Sequence, residues 1–486
     1  MMSPVKRAAV QADYYTSSSS VKLFFEHCKL STILNKSGFR KAKGHSVTEI
    51  LFVLFLLPLI GTTISRITDE SQGFLDIKKD EMYNFMSCHT YSWRNLLFNV
   101  AKIIVDFFVD LVKKRKEAKR NKDAILNLNR RSRFGIIDDT PIKKDDSEEL
   151  EICGNYMYDH TDGSHYKGYS ATVLLYSDGV SSVPLDVSLS ATSNESYIET
   201  NNEKKYHKNS CGARRRAEVR MAKTDLAIKM VENAHEKGIK FDYIMFDSWY
   251  SSPKVVHNIH QYYDVICNVK RGNQKYCYGK VKLDVEQIYS IIRVGTRKNI
   301  KCSCIIKMPY KLNDKEVKYI DVKLVYVKKR KSNDYLVLLS TDIKLSDKDI
   351  VKAYAIRWDI EVFFRNAKQN LRFDNGTQSN NFDSIIASVT LACLRHCFLA
   401  YAERKQSAPM TYGAFYRLVA DELVELTLAE SLEVILLHYA AAINALAKYD
   451  PQEADAMAEE MCEKIKMFKI NGLEERFKKE CFRLAA

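Results

Sequence analysis

Over the first 125 positions apolar residues recur at helical spacing, most clearly across Val47–Ile67 and Trp93–Val112. The second stretch runs straight into a basic segment, Lys113–Lys122, which predicts a helical region, 1–125, with a positive surface. From Arg133 the texture changes. Phe134–Ile137 is a short apolar run that ends in Asp138, Asp139 and Thr140, followed by Pro141. Tyr166–Ser177 and Val183–Ser190 read as strands separated by Asp178-Gly179, a hairpin signal. Helical spacing returns over Arg214–His235 through Ala217, Met221, Leu226, Ile228 and Met230. Tyr243–Phe246 is a second buried-strand run ending in an acid, Asp247. A helical stretch from Ser252 and a strand at Val265–Val269 follow. Strands, a helix and then alternating strand and helix predict an α/β core.

Between Arg271 and Asp342 the pattern turns β-rich, with Tyr and Lys alternating among Val, Ile and Leu, as in Ile320–Val327 and Tyr335–Leu339. Lying inside an α/β pattern, this run predicts an inserted β subdomain. Ser346, with Asp349 three residues on, marks a helix start. The remainder to Ala486 reads as helical, with charges nearly balanced.

At 486 residues the chain suggests about two to four domains. Its 46% hydrophobic and 28% charged residues exclude a disordered polymer. The net charge of +14 is concentrated. Lys113–Arg133 carries ten basic and two acidic residues, Lys204–Lys223 eight and one, and Lys328, Lys329, Arg330 and Lys331 form a third cluster. Any one cluster is compatible with a solvated helix face, but three together point to a polyanion such as nucleic acid. The candidate contacts are Arg214, Arg215 and Arg216 in the second cluster and Lys328, Lys329 and Arg330 in the third. The twelve cysteines include no C-x-x-C pair, so they read as reduced thiols of a cytoplasmic protein. The apolar run Ile50–Ile60 is interrupted by Pro58 and falls short of the about 20 residues a bilayer requires. No membrane partner is expected.

Asp139 and Asp247 each sit at the C-terminal end of an apolar strand, where open α/β sheets build sites. Aspartates are also common at such junctions, so neither is decisive alone. The helix after Ser346 adds Tyr354, Arg357, Glu361 and Lys368 at offsets of 0, 3, 7 and 14. On a continuous helix of 3.6 residues per turn they fall within about 60° of surface. The face is either an exposed ion-pair ladder or a metal-binding acid set beside phosphate-binding cations. Trp249 and Trp358 are expected to pack in the core.

This constellation resembles the DDE transposases of bacterial insertion sequences, in the subgroup with the Y-x2-R-x3-E-x6-K signature (insertion sequence family four). Tyr354, Arg357, Glu361 and Lys368 fit its spacing. Ile136–Thr140 looks like its first-aspartate strand and Phe246–Tyr250 its second-aspartate turn. The resemblance spans roughly residues 130–400 and places the first acid directly before the threonine, at Asp139. It implies an α/β fold, an RNase H-like mixed-sheet catalytic core interrupted by a β-rich insertion, with helical N- and C-terminal regions. The implied layout is a DNA-binding region over 1–125, core over 130–271 and 343–405, an insertion over 272–342, and a C-terminal region, 406–486, offered for dimerisation. It further implies cut-and-paste transposition, with Asp139, Asp247 and Glu361 as catalytic, metal-binding residues for two Mg²⁺ (or Mn²⁺) ions. Tyr354, Arg357 and Lys368 would contact double-stranded DNA at transposon ends and target. A homodimeric synaptic complex and a bacterial, nucleoid-associated location follow from the same resemblance. Hairpin formation would need an aromatic to hold a flipped base, with Tyr276, Tyr278 and Tyr310 as candidates in an insertion without Trp. An RNase H-like nuclease that cuts without joining, and a domesticated DNA-binding protein, are the rival readings.

Overall fold

The computed structural model describes residues 20–59, 63–65, 77–118, 132–159, 162–192, 194–293, 299–312, 316–329, 334–405, 436, 439–440, 443 and 450–466. The chain divides into two compact units. One comprises Leu30–Phe39 and Met86–Ala408, and the other Met1–Lys29, Arg40–Phe85 and Pro409–Ala486. In the second, the helix Val47–Leu56 begins with a capping box between Ser46 and Glu49. Phe25 of the helix Ser20–His27 packs edge-on against its Phe52 and Phe55. Most of the C-terminal region lies outside the described residues, apart from the helix Pro451–Lys466 and a few apolar residues packed with it.

The first unit is built on one sheet. Its strands are β1 (Phe134–Lys143), β2 (Cys153–Asp159), β3 (Ser164–Ser177), β4 (Ser182–Ser190), β5 (Ile198–Glu199), β6 (Tyr243–Phe246) and β7 (Asp264–Asn268). They continue with β8 (Tyr276–Tyr278), β9 (Val281–Leu283), β10 (Ile300–Lys311), β11 (Val317–Lys328) and β12 (Tyr335–Ser340). The order is β5-β2-β3-β1-β6-β7-β12-β11-β10-β8-β9, with β4 paired to β3. Its described helices after residue 90 are α1 (Trp93–Ala118), α2 (Cys211–Val219), α3 (Lys223–Glu236), α4 (Pro253–His260), α5 (Val285–Ile292), α6 (Asp347–Ala355), α7 (Trp358–Asn370) and α8 (Phe382–Lys405).

Central β1 is antiparallel to β3 and parallel to β6, and β6 is parallel to β7. This mixed, mostly antiparallel α/β arrangement is consistent with an RNase H-like DDE domain. The apolar run Phe134–Ile137 is fully buried because helices cover both faces of the sheet there. The Asp178-Gly179 hairpin forms as expected. The Asp178 carboxylate accepts from the Val180 and Ser181 amides, and Gly179 takes φ +77°, where a side chain would be strained.

Three expectations are corrected. The β-rich segment does not stand apart: β12 pairs antiparallel with β7, so its strands extend the core sheet. That segment also contains α5, whose capping box, Asp284 with Gln287, is legible in the sequence. The stretch Arg214–His235 is two helices, α2 and α3. The Ala191 amide takes the Val219 carbonyl, and Ala222 is extended, so the chain restarts at Lys223. Strand β1 does not end at its acids but runs on to Lys143, so Asp138 and Asp139 lie mid-strand, beside the end of its parallel partner β6. The long apolar helix is α8. It has the length and composition of a membrane span, yet nearly all of it is buried in this unit, where it packs on α1 and β4.

Candidate active site

β1 and β6 bring the acids together. Ile137 pairs with Phe246 in parallel register, so Asp138 and Asp247 come next on neighbouring strands. Strand alternation then sends the adjacent Asp138 and Asp139 to opposite faces of the sheet.

On one face, the Arg357 guanidinium donates from Nη1 to Asp138 Oδ2 at 3.1 Å and from Nη2 to Glu361 Oε1. Burial, followed by the charges of Asp247 and Asp139, pushes the Asp138 carboxyl up to about 7. Burial also raises Asp247. Its Oδ1 accepts from the Trp249 amide at 2.9 Å, which fixes the turn after β6. Arg357 is therefore the counter-charge of a crowded acid cluster. Among the described residues no three His, Cys, Asp or Glu side chains close on a single metal-sized point; the guanidinium stands between Asp138 and Glu361.

On the other face, Asp139 Oδ2 accepts from Lys223 Nζ and Ser170 Oγ, each at 2.6 Å, and Oδ1 accepts from Tyr250 Oη at 2.8 Å. Burial acts to raise this carboxyl, but these donors, led by Lys223, outweigh it and hold it below the usual aspartate range. Sequence reasoning missed Lys223, Ser170 and Tyr250. Lys223 was visible only as one of the cations of Lys204–Lys223.

The helix carrying the signature is not continuous. α6 ends at Ala355, and i→i+3 bonds from the Ile356 and Arg357 amides to Ala353 and Tyr354 tighten the chain before α7. Tyr354 thus lies on α6, while Arg357 immediately precedes α7 without a capping side-chain bond and Glu361 occupies its first turn. The Arg357 guanidinium lies 5.8 Å from the Tyr354 ring centroid. Lys368 donates to the Pro141 carbonyl at 2.9 Å and is half-buried, which lowers its pKa. Arg357 and Lys368 reach the acid-bearing half of β1, with Tyr354 and Glu361 against Arg357, across a break rather than along one face.

The basic clusters sort by burial. Arg216 is 4% exposed and bonded to Glu151 and Asp383, and Arg215 reaches Asp383 and the carbonyls of Tyr91 and His89. Both guanidiniums answer buried carboxylates and so are withheld from a DNA surface. Arg214 is exposed, with one bond to the Asn209 carbonyl. Lys328 is exposed and Lys329 pairs with Asp334 at 2.8 Å. Arg330 and most of Lys113–Arg133 lie outside the described residues. Trp249 and Trp358, expected in the core, are 52% and 54% exposed and immediately flank the acid cluster in sequence. Tyr276 is buried, and Tyr310 stacks on His257.

Residues 115–282 match the family described as DDE superfamily endonuclease. The match takes in Asp138, Asp139 and Asp247 and stops short of Glu361. It supports a DDE transposase-like domain, a nuclease or transposase type of enzyme, and DNA as the substrate. A comparison with curated proteins finds no match to the chain.

Proposed function

We propose that the chain is a DNA transposase that cuts the ends of an insertion sequence and joins them to target DNA. The observation that carries this reading is the acid cluster where β6 ends beside the middle of β1, with Glu361 tied into it through Arg357. The donor set is all carboxylate oxygen, which suits a hard divalent cation, and Arg357 marks where positive charge is stabilised among these acids. Asp247, Glu361 and an aspartate of the Asp138–Asp139 pair would hold Mg²⁺ or Mn²⁺. Two such ions, when bound, would stabilise the attacking and leaving oxygens of phosphodiester transfer.

The chain's own residues do the rest. Arg357 and Lys368 exchange their present carboxylate and carbonyl partners for phosphates of the DNA end, Arg by a bidentate fork and Lys as a point charge. Tyr354 supports the Arg357 fork. The exposed Trp249 and Trp358 offer indole faces on which unpaired bases stack. Arg214 and Lys328 add sequence-independent attraction to duplex DNA. Two ends must be processed together, so the working form is a homodimer on paired ends.

The second reading, a nuclease that cuts without joining, uses the same acids and predicts a different product. The full-length protein is incubated with Mg²⁺, a supercoiled target and a pre-cut duplex carrying the sequences that flank its gene. Covalent joining of the 3′ ends to the target supports the transposase. Hydrolysis of the target with no joined product supports the nuclease.

A further inference from the structure

β1 carries two adjacent aspartates, and the geometry points to Asp138, not Asp139, as the acid that joins Asp247 and Glu361 in holding the divalent cation. The inference rests on the metal-dependent reading above and fixes one of its ligands. Exposure does not separate the two side chains, since both are 19% exposed. Their partners do. Asp138 shares the Arg357 guanidinium with Glu361 and follows the register pair that puts it beside Asp247. A cation that displaced this guanidinium would find Asp138 and Glu361 already turned toward it. Asp139 has both carboxylate oxygens bonded, to Lys223, Ser170 and Tyr250, on the opposite face of the strand. Recruiting it would break a 2.6 Å ion pair and two further hydrogen bonds. Asp139 is instead the anchor that ties β1 to β3, to the start of α3 and to the turn after β6, and so holds the stretch of β1 that presents Asp138. The family pattern, which places the acid directly before the threonine, reads the pair the other way.

The test uses the full-length protein and free Mn²⁺, whose sharp electron paramagnetic resonance signal is lost on binding. Asp138→Asn should weaken Mn²⁺ binding by at least about tenfold, as loss of a ligand does. Asp139→Asn should bind Mn²⁺ as the wild type does while melting at a lower temperature. Lys223→Met serves if Asp139→Asn does not fold. It frees Asp139, so Mn²⁺ affinity should stay level if Asp139 is an anchor and rise if Asp139 is a ligand. Loss of binding in Asp139→Asn with retention in Asp138→Asn, equal losses in both, or a gain in Lys223→Met would each overturn the assignment. A wild type that binds no Mn²⁺ would sink the metal-dependent reading itself, and this assignment with it.

Discussion

Arg216 separates a cation that builds the fold from one that binds DNA. Its guanidinium is 4% exposed and donates to Glu151 Oε1 from Nε at 2.9 Å and Nη2 at 2.6 Å, and to the two oxygens of Asp383 at 3.1 and 2.9 Å. Glu151 and Asp383 are 4% and 0% exposed, so neither can turn to water when the arginine is removed. The Tyr206 ring lies 4.6 Å from the same guanidinium. Arg216→Met keeps much of the packing volume and deletes the charge. Removing one partner of a buried ion pair costs about 3–5 kcal/mol. Arg215 also reaches Asp383 and offsets part of this, which favours the lower end. At about 2–4 °C per kcal/mol for a domain of this size, the melting temperature should fall by roughly 6–12 °C. DNA affinity measured below the transition should not change. Thermal unfolding by circular dichroism, paired with duplex binding at several salt concentrations, reads both quantities. A variant that melts like the wild type but binds DNA more weakly would return Arg216 to the DNA surface.

Arg214 and Lys328, both exposed, should behave in the opposite way. Their double alanine variant should leave the melting temperature within about 1–2 °C, while the slope of log K against log salt falls by about 0.9 per lost phosphate contact. Burial pushes His396 down from 6.5 to about 4, against the Ser182 carbonyl that acts to raise it. The unfolded chain then takes up a proton below about pH 6.5 that the folded chain refuses. Stability is unaffected above that pH and drops by about 3 kcal/mol as pH falls to about 4. Melting curves for His396→Gln should show a shallower acid loss than the wild type, and parallel curves would contradict the burial argument. Lys368→Ala leaves every candidate metal ligand in place, so nicking should survive while strand transfer drops by about a hundredfold through loss of register at the cut end. Equal losses in both steps, read on one gel, would argue that Lys368 does not position DNA.

The sequence was most legible where the apolar pattern and the chemistry coincide. Two buried runs ending in acids located β1 and β6, and Asp178-Gly179 located the hairpin between β3 and β4. That β1 continues through Asp138 and Asp139 and turns them to opposite faces was hidden, because the apolar run stops at Ile137. Nor does the sequence say which of the two meets Arg357, because that is set by where α7 docks, 219 positions later. Arg215 and Arg216 looked like a polyanion-binding cluster because local charge density carries no record of Glu151 and Asp383, distant acids that fold against them. The break between α6 and α7 escaped notice for a related reason. Ile356 and Arg357 remain in right-handed helical conformation, and only the exchange of i→i+4 for i→i+3 bonding ends the helix. Trp249 and Trp358 were assigned to the core on residue type alone, and their exposure follows from the turn after β6 and the first position of α7.

Whether the acids of β1, the β6 turn and α7 hold a divalent cation during phosphodiester transfer is decided by changing the metal preference of one of them. Asp247→Cys replaces a hard oxygen ligand with a thiolate, which Mn²⁺ tolerates better than Mg²⁺. Cleavage of duplex carrying the gene's flanking sequences is measured in each metal. Nicking by the variant should be abolished in Mg²⁺ and partly restored in Mn²⁺. Wild-type nicking by Asp247→Cys in Mg²⁺ would contradict it.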